Sequence, residues 1–241
     1  GGGHLRERQG ALRAEAALSR EALARAREVV RRLRGLYGSL RPPGDTGDPF
    51  RVLVRTVLSQ NTSYKNELKA YRALEARVGI TPEALARADV SVIEECVRPA
   101  GQHRQRARRL KEIARLVLER YGGDLWPLLA GKPVGEAREE LMSLPGVGRK
   151  TADILLLFCA RRHVFPVDRH IMRITARLGL VEPPTSYEAV RSLFEQALDT
   201  PEELLFAHLA IIRLGREICQ ARRPRCQVCP LADICPMGAN I

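Results

Sequence analysis

Lys150 closes the stretch Leu144-Pro145-Gly146-Val147-Gly148-Arg149-Lys150. A lysine that sheds its proton is a nucleophile, and an arginine cannot take its place. The chain has lysine only at 65, 69, 111, 132 and 150, within a total of 40 Lys and Arg. A lysine kept here in so arginine-rich a sequence is informative, although a solvated cation after a proline–glycine turn is the plainer alternative. A second chemical group is formed by Cys219, Cys226, Cys229 and Cys235, spaced C-x6-C-x2-C-x5-C. Crowding into residues 219–235, with Pro230 and Pro236 close by, they read as one metal site and not as a disulfide framework. Zinc would favour two paired C-x2-C knuckles, and only one is present; four thiolates equally suit a [4Fe–4S] cluster. Donor chemistry alone leaves both open.

The elements that must position these groups are helical. Glu136 to Met142 precedes the proline–glycine stretch and Thr151 to Phe158 follows it, which predicts helix, tight turn, helix. Pro145 fixes φ, and Gly146 and Gly148 permit positive φ and close backbone approach. The first amides of the second helix lack partners one turn back, so the turn suits an anion, phosphate above all. No Walker pattern is present, because the upstream glycine of that motif is missing.

Elsewhere, residues 11–38 predict a long helix with an apolar stripe from Leu12 to Leu36. Asp48-Pro49, Thr81-Pro82 and Thr200-Pro201 each pair a cap with a first-position proline. Ser91 with Glu94, Thr185 with Glu188 and Thr200 with Glu203 predict capping boxes. Asp168, after Pro166, can cap a helix beginning near Arg169. Helices are expected at about 65–78, 82–88 and 92–98, and again after Gly101. Ser59-Gln60-Asn61-Thr62-Ser63 interrupts a helical pattern as a helix end or capping loop. Arg104, Arg106, Arg108 and Arg109 form either a phosphate-facing patch or a solvated helical face. Cys96 and Cys159 fall in helical patterns and read as inert core thiols. No period-2 run of useful length is present, so the chain is all-α.

Composition sets limits. A chain of 241 residues with 45% hydrophobic content can bury a core. Its formal charge of +12 suits a polyanion, a property shared by ribosomal, nucleic-acid and membrane-surface proteins. No stretch approaches a transmembrane length, and the cysteine usage suits a reducing, cytoplasmic setting.

Leu-Pro-Gly-Val-Gly-Arg-Lys-Thr-Ala at 144–152, Val167-Asp168 and the cysteine loop resemble, in this order, three motifs of the endonuclease III family. The resemblance spans roughly residues 30 to 236. It implies two helical lobes with a cleft between them: a six-helix lobe over 47–155 containing the helix-hairpin-helix at about 136–160, and a second lobe from 11–46 and 156–241 carrying an iron–sulfur loop at 219–235. It implies a bifunctional DNA glycosylase/AP lyase of base excision repair acting on oxidised pyrimidines. Lys150 would be the nucleophile, Asp168 the carboxylate that stabilises charge at the sugar, and Cys219, Cys226, Cys229 and Cys235 the ligands of a [4Fe–4S] cluster. The DNA-facing set would be Leu144, Gly146, Val147, Gly148 and Arg149 of the hairpin, Arg106, His170, and Arg222, Arg223 and Arg225 within the cysteine loop. Gln60 and Asn61 stand where the family carries the side chain that enters the duplex after a base has left. Asn61 aligns with the usual glutamine, while Gln60 stands where alanine is frequent. Arg169 replaces a usual threonine. The expected partner is double-stranded DNA with damaged bases or abasic sites, met by a monomer associated with the nucleoid. Two other classes remain: a monofunctional mismatch or adenine glycosylase, which Lys150 disfavours, and a non-catalytic DNA-binding iron–sulfur protein.

Overall fold

Caps and prolines set most helix starts in the computed structural model, which is described here for residues 18–44 and 46–238. Helix α1 (Arg20–Tyr37) begins at Ser19, whose hydroxyl accepts from the Ala22 amide at 3.0 Å; the expected start near residue 11 lies outside the described residues. Asp48 accepts from the amides of Phe50 and Arg51 to open α2 (Pro49–Ser59). Helices α3 (Tyr64–Arg77), α4 (Pro82–Arg87), α5 (Val90–Val97) and α6 (His103–Tyr121) follow. Then come α7 (Trp126–Gly131), α8 (Val134–Met142) and α9 (Arg149–Phe158). The remaining helices are α10 (Arg169–Arg177), α11 (Tyr187–Ala197) and α12 (Pro201–Glu217). The described residues contain no strand, in agreement with the all-α expectation. None of their helices is long and apolar enough to cross a membrane.

Two caps differ from expectation. Helix α5 starts two residues early, with Asp89 in the cap position, so Ser91 lies inside the helix and no box with Glu94 forms. Ser186, not Thr185, caps α11 and accepts from the Ala189 amide at 3.1 Å. In both places two candidate caps lie within two residues of each other. The Thr200–Glu203 box is present as expected. Helix α7 escaped the sequence, because a helix of six residues is too short to show a period.

Chain contacts divide the molecule into two units, one of residues 43–162 and one of residues up to 42 together with those from 163 onward. Within the first, α6 packs on α4 and α5, and α9 packs on α2, α7 and α8. Every side chain from Thr151 to Phe158 is buried, so α9 is the core helix that carries the hairpin's outgoing arm. Cys96 sits in this core, where burial pushes its thiol upward; Cys159 is only partly buried. Within the second unit, α1 packs on α11 and α12, and α10 packs on α12. Phe165 stacks on Phe194 with ring centroids 4.4 Å apart, and His208 Nδ1 lies 2.9 Å from the Pro166 carbonyl. These contacts seat the extended segment that ends at Asp168.

Candidate active site and iron–sulfur loop

Four residues make the hairpin turn. The Val147 amide donates to the Leu144 carbonyl at 3.1 Å, closing Leu144-Pro145-Gly146-Val147. Gly146 at φ +72° occupies the third position, where a turn of this hand requires glycine. A Cβ on Gly146 would also have to displace the guanidinium stem of Arg109, which lies against it. Leu144 and Val147 bury their side chains, so only their backbone is left for a ligand. Gly148 caps α9, which places Lys150 at its second position, half-buried beside exposed Arg149. The amides here face the positive end of a helix whose remaining length is fixed in the core.

A buried ion pair that sequence reading missed joins the hairpin's two arms. Asp153 of α9 is fully buried, and Arg138 Nε of α8 donates to its Oδ1 at 2.7 Å. An i,j separation of 15 residues across a turn has no periodic signature, although an aspartate amid Ile154, Leu155 and Leu156 was a hint.

Arg106 is corrected outright. It does not face phosphate: it is 3% exposed and points into the unit. It donates to the carbonyls of Val57, Gln60, Ala100 and Gly101. Val57 and Gln60 lie at the C-terminal end of α2, where the helix dipole favours a cation. Burial, and then the positive charge of Arg109, draw the pKa of Arg106 below the usual guanidinium range. Its spacing within an arginine run looked like a surface patch, yet position 106 falls on the same face as Leu110, Ile113 and Val117. Its neighbours Arg104 and Arg108 are exposed, as a phosphate-facing or solvated face requires. Arg106→Met should lower the free energy of unfolding by about 3 kcal/mol, because several buried acceptors lose their donor. Arg106→Lys should lose less. Denaturant midpoints measure both, and a Met variant as stable as the parent would contradict the clamp.

The clamp defines the loop after α2. Asn61 is exposed and adopts φ +54°, a left-handed geometry that asparagine tolerates. Gln60 is partly buried, and its side chain is engaged within the protein: Nε2 donates to the Gly146 carbonyl at 3.1 Å and Oε1 accepts from Arg109 Nη1 at 3.3 Å. Lys150, the hairpin, Gln60, Asn61 and Arg106 all belong to the 43–162 unit.

Asp168 belongs to the other unit. It caps α10, with Oδ1 accepting from the Ile171 amide at 2.8 Å, and it remains partly exposed. His170 is half-buried against Gly215, and Arg173 Nη2 lies 3.1 Å from its Nδ1. Burial lowers the His170 pKa; Asp168 opposes this, and Arg173, Arg169 and Arg216 add to it.

The four cysteines follow α12, in a loop that contains two short 3-10 turns, Cys226–Val228 and Ala232–Ile234. All four line one cavity together with Ile218, Pro224 and Met237. Burial pushes the Cys229 thiol upward, and the charges of Cys219, Cys226 and Cys235 push it further. Four mutually repelling thiolates in one partly apolar pocket need a cationic centre, and the donor set is that of a thiolate-ligated cluster. Arg177 braces the loop from α10, donating to Cys219 Sγ at 3.3 Å and to the Gln220 and Ala221 carbonyls at 2.8 Å. Arg222, Arg223 and Arg225 stand exposed on it.

Residues 54–200 match the family model of the HhH-GPD superfamily base excision DNA repair protein, and residues 219–235 match the iron-sulfur binding domain of endonuclease III. The endonuclease III of Thermotoga maritima is 38% identical over 213 residues, which span 87% of this chain and 90% of the relative. That of Sulfolobus acidocaldarius is 35% identical over 193 residues, covering 80% and 83%. Among solved structures, a trapped endonuclease III–DNA covalent intermediate superposes with a TM-score of 0.78 at 26% identity, covering 90% of this chain and 97% of that one.

Proposed function

This chain belongs to the endonuclease III family of HhH-GPD base excision repair proteins, a DNA glycosylase/AP lyase with a [4Fe–4S] cluster, and on that premise we propose how its own residues divide the work. Lys150 is the nucleophile and Asp168 the carboxylate that serves the same sugar. The observation that carries this is the hairpin itself: Gly146 and the capping Gly148 set a partly exposed lysine at the second position of α9, beside amides suited to phosphate. The damaged base must leave the stack before either group can act. As the glycosidic bond breaks, positive charge develops at C1′, and the Asp168 carboxylate stabilises it. The Lys150 amine bonds to C1′ while the base departs with the bond's electrons and acquires a proton. Transfer of a proton from the bonded amine to O4′ opens the ring to a Schiff base; loss of a C2′ proton then breaks the C3′–O bond and expels the 3′ phosphate in β-elimination.

Asn61 fills the gap left by the flipped nucleotide, a role supported by its exposure and left-handed backbone. Arg149, the hairpin amides, His170 and the exposed arginines at 222, 223 and 225 hold the backbone of the duplex. Cys219, Cys226, Cys229 and Cys235 hold the cluster, which when bound supplies a cross-link that fixes the arginine-bearing loop.

The preferred substrate is an oxidised pyrimidine. Single-turnover excision on otherwise identical duplexes tests this, with thymine glycol, thymine opposite guanine, adenine opposite 8-oxoguanine and undamaged thymine compared. Thymine glycol should be released fastest. Release confined to the mismatched thymine or adenine would replace this substrate class with a mismatch specificity.

A further inference from the structure

Two loops with different tasks are joined inside the 43–162 unit. The loop after α2 presents Asn61, and the turn at Gly146 presents amides to phosphate. Gln60 lies between them. One end of its amide donates to the Gly146 carbonyl at 3.1 Å, and the other accepts from Arg109 at 3.3 Å. Arg109 in turn occupies the space beside Gly146 that a Cβ would need. From beneath, Arg106 donates to the Gln60 carbonyl at 2.9 Å. Gln60 is therefore held at its side chain and its backbone, whereas the next residue is exposed at φ +54°.

We propose that Gln60 is a positioning residue that couples the seating of the hairpin turn on phosphate to the insertion of Asn61 into the duplex. The proposal rests on the assignment of Asn61 as the inserting residue. A glutamine amide supplies one donor and one acceptor in a fixed plane, which lets it report the position of the turn carbonyl to the adjacent residue. Alanine at this position supplies neither. A glutamate keeps the acceptor for Arg109 but loses the donor to Gly146.

The test uses the full chain with its cluster, as Gln60→Ala, Gln60→Glu, Asn61→Ala and the Gln60→Ala/Asn61→Ala double variant. Three quantities are read: excision of a base-paired thymine glycol, cleavage at an abasic site, and fluorescence of 2-aminopurine opposite the lesion as a measure of opening. Gln60→Ala should slow excision of the paired lesion roughly three- to tenfold, the range expected for the neutral hydrogen bond to Gly146, while abasic-site cleavage changes less than about twofold. Gln60→Glu should behave like Gln60→Ala. In the Asn61→Ala background, Gln60→Ala should add no further loss, since nothing remains to be positioned. Equal losses from Gln60→Ala in both backgrounds, or equal losses on both substrates, would overturn the coupling and make Gln60 an independent DNA contact or a brace of the hairpin. If Asn61→Ala alone leaves paired-lesion excision and 2-aminopurine fluorescence unchanged, the insertion assignment fails first and the coupling fails with it. Thermal midpoints of the variants separate these outcomes from loss of fold.

Discussion

Asp168→Asn should reduce base excision by roughly 100- to 1,000-fold, because it removes a negative charge from the site where positive charge develops in the transition state. The substitution isolates that charge. Asp168 also caps α10 through its bond from the Ile171 amide at 2.8 Å, and asparagine caps a helix as well as aspartate does. The variant should therefore unfold at the parent's temperature and bind an abasic duplex with near-parent affinity. Asp168→Ala provides the contrast. It loses the charge and the cap together, and should cost about 1 kcal/mol of stability in addition to the excision defect. Single-turnover rates, taken with melting midpoints, separate the two effects. An asparagine variant with normal excision would mean that Asp168 is only a cap.

Lys150→Gln should lower strand cleavage at an abasic site by on the order of 1,000-fold or more, since the covalent route requires an amine that glutamine does not have. The side chain length is nearly kept, and position 150 is only half-buried, so the hairpin should stay folded. DNA binding should persist, because the turn amides, Arg149 and the exposed arginines of the cysteine loop are untouched. Base release without strand cleavage in this variant would assign water as an alternative nucleophile activated at the same sugar.

Much of this site could be read from residue types at short range. Pro145, Gly146 and Gly148 announced a turn because each acts on its own backbone, and Asp48, Thr81, Asp168 and Thr200 announced helix starts because a cap bonds within one turn of itself. The cysteine spacing was legible for the same reason. The partners of Arg106 were not, since its acceptors at Val57 and Gln60 lie 49 and 46 residues away, although its helical register with Leu110, Ile113 and Val117 sets it on the inner face. The Arg138–Asp153 pair and the bond from Gln60 to Gly146 are similarly set by tertiary packing. Gln60 and Asn61 are both amides, and the resemblance favoured Asn61 because it aligns with the usual glutamine. The structure separates them, because one is engaged within the protein and the other is exposed on a left-handed backbone. Arg169 is exposed beside Asp168, and nothing in its surroundings explains why arginine stands there.

The central claim is that Lys150 forms a covalent link to the sugar. Reduction with sodium borohydride during turnover on an abasic duplex, followed by proteolysis and mass spectrometry of the trapped complex, tests it most directly. A single adduct on Lys150, absent from Lys150→Gln, is the predicted result; an adduct on another amine, or undiminished trapping in the glutamine variant, would contradict it.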